Sequence, residues 1–302
     1  PSTQWLAFLS GDLDIQGEVS RDNWDEVVTT NGTLNPSLAK KGFEMVTMPT
    51  LEVSYIGINM DDPLLGKNKY LRQALNAAFD SARWTDFYRG RIVPASGAVP
   101  PGVAGADSSP LPFGRGLEVA RNLLAKAGYP EGIDPATGRR LRLVIDLGRT
   151  TQDMRESTEL LIAFFDRCGI ELVAEYHSWP SFLEKVSKRR SQLFRIGWVG
   201  DYPDAENFLQ LFYGPSASPG PNRCNYNNPE FDKLFREAMA SNQARRLELY
   251  GEMQKIIKED CPWIFLGYST ALSLVAPTVE GYIPHDFPYG MEKHFRCKKT
   301  LR

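Results

Sequence analysis

The chain contains 302 residues with a mass of 34.0 kDa, and its 35 basic and 37 acidic residues give a formal net charge of −2 at pH 7. At about 100–200 residues per domain, this length predicts two domains or lobes, and the 42% hydrophobic content is enough for a sizeable core. Because the chain carries no excess of positive charge, nucleic acid is excluded as an expected partner, and no apolar run approaches the ~20 residues of a membrane-spanning helix.

The first 140 residues are predicted to mix short helices, one strand and a long loop. Residues 1–50 read as short helices and loops, and the first helix is predicted to end at Gly11. The β-branched and aromatic residues between Thr47 and Met60 predict a strand. Apolar residues at helical spacing predict three helices, with a Pro- and Gly-rich loop before the last: Tyr70–Phe79, Trp84–Tyr88, the loop Val93–Phe113, and Leu117–Ala127.

From Leu141 onward the pattern alternates between strands and helices. The predicted elements are strand Leu141–Leu147, helix Gln152–Cys168, strand Ile170–Tyr176, helix Trp179–Lys188 and strand Gln192–Val199. Short connections of this kind are typical of a βαβαβ unit on a parallel sheet. Ligands in such sheets bind beyond the carboxyl ends of the strands. The segments Gly148–Thr150 and Gly200–Tyr202 are therefore candidates for a binding site.

The last hundred residues are predicted to be mainly helical. Asn228 is expected to cap a helix that has Pro229 at its first position. The tail from Glu280 is aromatic, proline-rich and then basic. The predicted elements are helices Asp204–Phe212, Asn228–Ala240 and Gln243–Glu259, followed by two strands, Trp263–Tyr268 and Leu272–Val275.

The sequence contains no catalytic or cofactor motif of the P-loop, GxSxG or HExxH type. The three histidines are far apart, and the four cysteines form no CxxC pair, so we expect neither a metal site nor a cofactor. A disulfide and reduced buried thiols remain equal alternatives for the cysteines. They are Cys168, Cys224, Cys261 and Cys297.

One segment, Gly197–Phe208, combines groups suited to binding a small molecule. It starts on an apolar strand and leaves at the carboxyl end, where Gly200 allows a close approach to the backbone. Trp198 and Tyr202 offer rigid contact area, and Asp201 offers a carboxylate suited to an ammonium group. The alternative is an ordinary strand end followed by a capped helix, and the residues by themselves do not decide between the two.

This segment resembles the Gly-Trp-x-x-Asp-Tyr-x-Asp-Pro signature of extracytoplasmic solute-binding proteins of family 5, the dipeptide and oligopeptide receptors of ABC importers. The chain departs from the signature at Ala205, where the family often has proline. The resemblance covers nearly the whole chain. Further matching segments are Phe8–Ile15, Leu71–Asp80, Tyr88–Gly90, Val99–Gly102, Ala120–Gly132, Asn225–Asp232 and the pair Arg246 and Tyr250.

The resemblance implies an α/β, periplasmic-binding-protein-like fold of type II with two lobes. One doubly wound lobe would be complete and the other a remnant, because the chain corresponds to roughly the C-terminal three-fifths of a family member. Residues 1–55 would form the end of the first lobe and a hinge crossing, 56–264 the second lobe, and 265–302 the return crossing. The aromatic residues Phe287, Tyr289 and Phe295 of the tail would pack on the first lobe.

The resemblance also implies a receptor that captures a short peptide and breaks no bond. Asp201 would pair with the ligand's ammonium, and Trp198, Tyr202 and Gly200 would line the site. Arg149 stands where dipeptide receptors carry an arginine that grips the peptide carboxylate. A solvated loop arginine is the alternative at that position.

The expected partners are a small solute and an ABC permease in the membrane, and we expect the receptor to be monomeric. The location would be extracytoplasmic, either in the periplasm or as a lipoprotein at the cell surface. Two other interpretations stay open. One is a receptor for a non-peptide solute such as a sugar, a nickel chelate or haem, and the other is a hydrolase that uses Asp201 and Asp204.

Overall fold

The computed structural model describes residues 2–17, 19, 21–284 and 298–299. The described residues form two compact units. Unit 1 takes those within Pro1–Leu51, Tyr88–Val93 and Tyr268–Arg302, and unit 2 takes Glu52–Phe87 and Pro94–Gly267. The lobe boundaries given above remain a prediction. The aromatic residues of the tail, Phe287, Tyr289 and Phe295, lie outside the described residues.

The helices and strands follow the sequence patterns closely. The helices are α1 (Ser2–Ser10), α2 (Arg21–Val27), α3 (Pro36–Ala39), α4 (Lys69–Ala78), α5 (Ser81–Tyr88), α6 (Leu117–Lys126), α7 (Gln152–Asp166), α8 (Trp179–Ser187), α9 (Glu206–Leu209), α10 (Pro229–Ala240) and α11 (Gln243–Asp260). The strands are β1 (Ile15–Gln16), β2 (Glu44–Ile58), β3 (Ile92–Val93), β4 (Ile133–Asp134), β5 (Arg139–Arg140), β6 (Arg142–Leu147), β7 (Glu171–Tyr176), β8 (Leu193–Val199), β9 (Trp263–Val275), β10 (Val279–Glu280) and β11 (Lys298–Lys299). Among the described residues, no helix combines the length and the apolar character needed to cross a bilayer.

Several helix ends are fixed by the side chains that their sequences supply. The Asn228 side chain accepts hydrogen bonds from two backbone amides at the start of α10, with Pro229 at the first helical position, as predicted. Thr151 caps α7 in the same way, and Ser178 caps α8. Helix α1 ends at Gly11, whose φ of 86° is a conformation that favours glycine. These caps set where the loops at the strand ends begin and stop.

Unit 2 is built on a mixed sheet with the strand order β9-β2-β8-β6-β7. Strand β6 is parallel to β7 on one side, with Leu147 opposite Tyr176, and parallel to β8 on the other, with Leu147 opposite Arg195. Helices α7 and α8 connect these strands, which confirms the predicted βαβαβ unit. Strand β2 is antiparallel to β8, and Val53 lies opposite Trp198. The carboxyl ends of β6, β7 and β8 therefore lie on the same side of the sheet, and we call this side, where the strands end, the carboxyl edge or shared edge of the sheet.

The core of unit 2 depends on the periodicity of its helices and strands. Helix α7 contacts β7 and buries one apolar face, which includes Leu161 and Phe165. Ile145 of β6 and Leu193 of β8 are fully buried as well. Val173 is only half-buried, because β7 is the last strand of the sheet. This core holds the shared edge of the sheet in place.

Helix α11 holds the long irregular segment that precedes α6. The Gln254 amide donates to the carbonyl of Gly105 at 2.6 Å. The Lys258 ammonium donates to the Asp107 carboxylate at 2.7 Å and to the carbonyl of Ser109 at 2.6 Å. Gln254 and Lys258 are four residues apart and both are buried, so they lie on one face of the helix. This polar face lies beside the apolar residues that the helix also buries, which include Leu249, Met253 and Ile257.

Unit 1 has its own apolar core and corrects one prediction. Its buried cluster includes Trp5, Phe8 and Trp24 from the first helices and Leu274 from β9. The two strands predicted at Trp263–Tyr268 and Leu272–Val275 are one continuous strand, β9. The polar residues between them hold the strand geometry because Ser269 pairs with Ile92 of β3. The extended conformation of β9 in this stretch is therefore maintained by hydrogen bonding to a neighbouring strand and not by an apolar pattern.

Candidate functional site

The segment that follows β8 presents a carboxylate to solvent. Gly200 is buried, whereas Asp201 and Tyr202 are exposed. Trp198, near the end of β8, is half-buried. Gly197 packs against β2, where an added Cβ would lie 3.2 Å from a Glu52 carboxylate oxygen. Gly197 thus allows a close contact with Glu52, Gly200 is buried, and the Asp201 carboxylate next to them is exposed.

A single buried side chain, that of Asn207, organises the loop. Its Oδ1 accepts from the Trp198 indole N–H at 2.9 Å and from the backbone N–H of Asp201 at 3.1 Å. Its Nδ2 donates to the Asp201 carboxylate at 3.3 Å. Asn207 is 1% exposed, at the start of the short helix α9. One amide therefore fixes the tryptophan ring, the loop backbone and the carboxylate relative to one another.

Asp204, three residues further on, differs from Asp201 in its partners. The Arg246 guanidinium donates to both of its carboxylate oxygens at 3.1 Å, and the Tyr250 hydroxyl donates to one of them at 2.9 Å. The backbone N–H of Glu206, the first residue of α9, donates to the same carboxylate at 2.9 Å. Burial and the hydrogen bond to Asp204 raise the pKa of Tyr250. The negative charge of Asp204 is thus compensated inside the protein.

The aromatic residue of the loop is also held by a neighbour. The Tyr202 hydroxyl donates to the Glu206 carboxylate, one turn along the chain. Partial burial and this hydrogen bond raise the pKa of the Tyr202 hydroxyl. Its ring is 40% exposed beside Asp201. Tyr202 can therefore offer a fixed apolar surface to a molecule that approaches the carboxylate.

Arg149 follows β6, the strand next to β8, and is exposed. No hydrogen bond or ion pair joins Arg149 to another residue within the described ranges. Leu147 ends β6 opposite Arg195, and β8 runs four residues further to Val199. At ~3.3 Å per residue, Asp201 lies well beyond Arg149 along the strand direction. The structure thus places both groups at one edge of the sheet and does not bring them into contact.

Sequence reasoning missed three contributors to this edge. Asn207 looks like an ordinary helix residue until its partners are known. The pairing of Arg246 with Asp204 spans 42 positions, although the quoted resemblance did include Arg246. Trp179 begins α8 with 45% of its surface exposed, and it lies against Gly148. An exposed tryptophan next to a strand end is the signal that could have drawn attention to it.

A second polar group lies at the ends of β6 and β7. His177 Nε2 is 2.6 Å from an Asp146 carboxylate oxygen, and the Lys185 ammonium donates to the same oxygen at 2.7 Å and to Glu175 at 2.8 Å. Asp146, Glu175 and His177 could together hold a metal ion, a grouping that the sequence analysis did not foresee. Lys185 supplies a positive charge within the group. We call these four residues the Asp146 cluster.

The three cysteines that the structure describes do not contribute to the edge of the sheet. Cys168, Cys224 and Cys261 are buried free thiols, and Cys297 lies outside the described residues. Burial raises the pKa of Cys224 to about 12 and that of Cys168 above its ordinary value. Thiols of this kind are protonated and inert at neutral pH. Among the three described cysteines, the free-thiol alternative is the correct one.

Curated relatives are named for the solutes they bind. The chain is 29% identical over 248 residues to heme-binding protein A of Haemophilus influenzae, with 82% of the chain and 44% of the relative covered. It is 27% identical over 296 residues to the probable di/tripeptide-binding protein 5 of Pseudomonas aeruginosa, with 95% and 54% covered. It is 26% identical over 252 residues to the dipeptide-binding protein of Escherichia coli, with 80% and 45% covered. The chain thus spans about half the length of these relatives.

Solved structures confirm the predicted fold class. HbpA2 from Haemophilus parasuis matches with a TM-score of 0.83 at 22% identity, over 99% of the chain and 56% of that protein. The periplasmic binding protein DppA from Helicobacter pylori, in complex with the peptide STSA, matches with a TM-score of 0.76 at 21% identity, over 99% and 55%. These likenesses concern the fold. The chain has the α/β fold of type II periplasmic binding proteins.

A family model decides the membership. The model described as "Bacterial extracellular solute-binding proteins, family 5 Middle" matches residues 1–220, which is more than two thirds of the chain. The matched range contains the loop after β8 together with Arg149. The Asp146 cluster lies within it as well. The chain belongs to the bacterial extracellular solute-binding proteins of family 5.

Proposed function

We propose that this chain recognises the amino end of a short peptide and is part of a receptor that delivers the peptide to an ABC importer. The observation that carries the proposal is the contrast between two carboxylates of one loop. Asp204 is compensated by Arg246, whereas Asp201 is exposed and, among the described residues, has the Asn207 amide as its side-chain partner. Because the chain belongs to a family of solute-binding proteins, we assign the uncompensated carboxylate of Asp201 to ligand binding.

The chemistry of the loop suits an α-ammonium group. An amide donor such as Asn207 orients a carboxylate but does not neutralise it, so the negative charge of Asp201 remains available. An ammonium carries three donors and can pair with this carboxylate by charge-assisted hydrogen bonds. Trp198 and Tyr202 would flank the ligand backbone, and Gly200 would form the floor of the loop. Because every unblocked peptide carries the same ammonium, this mode of binding tolerates varied side chains.

Arg149 supplies the second charge of the proposed site. It has no partner among the described residues, and it follows the strand next to Asp201. A peptide has one positive and one negative end, so a carboxylate and a guanidinium at one sheet edge match both ends. We assign the peptide carboxylate to Arg149. The alternative of a solvated loop arginine predicts that Arg149 can be replaced without an effect on binding.

The rest of the proposal follows from the family. The receptor would act outside the cytoplasm, bind its ligand without chemical change and present it to a membrane permease. A relative named for heme binding keeps haem as the second candidate. Haem carries carboxylates and no ammonium, so Asp201 would have no role in binding it. The effect of Asp201 on binding therefore separates the two ligands.

The test uses the chain labelled with 5-fluorotryptophan and follows the fluorine signal of Trp198 by NMR during titration with the dipeptide Ala-Phe. We expect a saturable shift. Asp201→Ala should weaken binding about fivefold, which corresponds to ~1 kcal/mol for an exposed charge pair. N-acetylation of the peptide should have the same effect, and added salt should reduce the difference.

The control variant is Asp86→Ala, which removes an exposed carboxylate of α5. It should leave the affinity unchanged. Equal affinities of free and acetylated Ala-Phe would overturn the assignment of Asp201. Binding of hemin with no response to Ala-Phe would favour the haem alternative.

A further inference from the structure

A cavity of about 270 Å³ lies in unit 2, apart from the loop that follows β8. Its wall is formed by residues 77–82 and 115–117, together with Phe164 and Arg167. Helix α7 starts beyond the carboxyl edge of the sheet and runs for 15 residues, or ~22 Å, before the chain reaches Arg167. Strand β7 begins shortly afterwards, at Glu171. The cavity therefore lies towards the opposite ends of the strands, and the candidate peptide site does not account for it.

The wall of this cavity contains the guanidinium of Arg115, which is held by weak contacts. It donates to the backbone carbonyls of Asn76 at 3.4 Å and Ala95 at 3.5 Å, and both hydrogen bonds are longer than usual. The centre of the Phe79 ring lies 5.7 Å from its central carbon. Burial lowers the pKa of Arg115 below its ordinary value. Among the described residues, no carboxylate forms an ion pair with Arg115, so this partly buried charge lacks a counter-ion.

Asp80, a carboxylate in the same wall, is already compensated by other groups. It lies 3.6 Å from the Arg167 guanidinium and 3.9 Å from that of Arg83. It also accepts a hydrogen bond from the backbone N–H of Arg83 at 3.1 Å. The wall thus carries two positive groups, Arg115 and Arg167, and one negative group, Asp80, which gives a formal net charge of +1. This charge favours an anion in the cavity.

We propose that this cavity is a binding site for a small molecule that carries one carboxylate on a compact apolar body. A carboxylate can accept two parallel hydrogen bonds from the guanidinium of Arg115, and it would supply the missing counter-ion. Much of the remaining wall is apolar, including Leu117 and Phe164, so an apolar body covers surface that a hydrated inorganic ion would leave exposed. The volume is at the lower end of the range for ligand sites, which suits a body of one ring. This site is independent of the proposed peptide site.

A purely structural role of Arg115 is the alternative. Asn76 lies in the last turn of α4, where the helix dipole favours a positive charge. In that role, Arg115→Gln would lower the melting temperature by the same amount with and without an added carboxylate. A carboxylate that binds at Arg115 would raise the melting temperature of the wild type and not that of the variant, because a ligand stabilises the form that binds it. The response to the ligand therefore separates the two roles.

The experiment uses the 5-fluorotryptophan chain and follows the signal of Trp84, whose ring centre lies 5.5 Å from that of Phe79. Trp84 is therefore one ring away from the cavity, and its signal is assigned by Trp84→Phe. We expect benzoate to shift this signal saturably, with the same affinity in the absence and in the presence of Ala-Phe. Benzamide has nearly the same shape but no charge, and it should bind about tenfold more weakly. Acetate has the charge but no ring, and it should also bind about tenfold more weakly.

Variants of Arg115 complete the test. Arg115→Gln should weaken benzoate binding at least about tenfold, and Arg115→Lys about threefold, because lysine keeps the charge but not the planar fork. The control is Arg139→Gln, which removes an exposed arginine of β5 and should leave the affinity unchanged.

Two results would overturn the site: an unchanged benzoate affinity in folded Arg115→Gln, or the loss of the Trp84 shift when Ala-Phe is added. If Arg115→Gln does not fold, the wild type decides, and equal affinities for benzoate and benzamide would overturn the site as well. All of these results leave the peptide receptor standing, since the signal of Trp198 tests it separately.

Discussion

Two carboxylates at the carboxyl edge of the sheet in unit 2 have opposite surroundings. Asp146, near the end of β6, is fully buried, and His177 and Lys185 both contact it. Asp201, just after β8, is exposed and has an amide as its partner. A buried charge must find its partner within the chain, because its desolvation is otherwise too costly. An exposed charge that is oriented but not compensated is available to a ligand.

The comparison assigns different roles to groups of similar chemistry. Lys185 is the cation of the Asp146 cluster. Burial by itself lowers the pKa of Lys185, but the hydrogen bonds to Asp146 and Glu175 have the larger combined effect, so the pKa is raised. The loop after β8 has no such cation next to Asp201 among the described residues. We therefore expect variants of the Asp146 cluster to change stability, and variants of Asp201 to change binding.

The largest expected effect is that of Lys185→Met. This variant leaves the buried Asp146 carboxylate without its cation, so the free energy of unfolding should fall by about 3 kcal/mol. Urea unfolding measures the change. The matched control is Lys188→Met, which removes an exposed lysine paired with Glu184 and should change stability by less than about 0.5 kcal/mol. Equal effects of the two variants would contradict the structural role of the cluster.

The next effect concerns the amide that organises the open loop. Asn207→Ala removes the acceptor of the Trp198 indole N–H and of the Asp201 backbone N–H, and should lower the free energy of unfolding by about 2 kcal/mol. Asn207→Asp keeps an acceptor oxygen but adds a negative charge beside Asp201. It should recover part of the stability, more so at low pH. A variant Asn207→Ala as stable as the wild type would refute this role of the amide.

A smaller effect separates the two aspartates of the loop. Asp204→Asn weakens the bonds from Arg246 and Tyr250 and should lower the free energy of unfolding by about 1 kcal/mol, since the pair is partly exposed. Asp201→Asn should change it by less than about 0.5 kcal/mol, because no cation of the described chain faces Asp201. Thermal melts of both variants at one pH provide the comparison. A larger loss for Asp201→Asn would reverse the assignment.

The smallest effect is a pH dependence of the Asp146 cluster. The pKa of Lys185 is raised in the folded state, so its contribution is fully present below the unfolded value of 10.5 and is lost as the pH rises through the higher folded value. The stability difference between wild type and Lys185→Met should therefore be constant between about pH 8 and 10 and shrink above that range. The difference is the useful quantity, because tyrosines with raised pKa values, such as Tyr226, destabilise both proteins at high pH. A constant difference up to about pH 11.5 would argue against this linkage.

The elements of the fold were largely predictable, because they depend on local patterns. The alternation from Leu141 to Val199 gave the correct parallel strands, and Asn228 with Pro229 gave the correct helix start. Strand β9 was predicted in two pieces, since Ser269 and its neighbours lack an apolar pattern. Their extended conformation comes from pairing with β3, which a local pattern does not contain.

The candidate site was predictable only in part, for the same reason. The placement of Asp201 and Tyr202 after a strand follows from the order of residues along the chain. The role of Asn207 and the closeness of Trp179 to Gly148 depend on how separate elements fold together. The Asp146 cluster joins residues 31 and 39 positions apart. The roles of Asp201, Trp198, Tyr202, Gly200 and Arg149 in binding remain predictions.

The polar face of α11 has a consequence for the motions of the loop that it holds. Segments rich in proline and glycine are usually the first parts of a domain to open, and they exchange their amide hydrogens quickly. Here Gln254 and Lys258 tie the backbone carbonyls of Gly105 and Ser109 to a long helix. The loop can leave its place only when several partly buried hydrogen bonds break together. We therefore expect the amide hydrogens of the loop to exchange, and its backbone to be cleaved by proteases, at rates similar to those of α11. In its motions, this irregular segment would then behave as part of the helix.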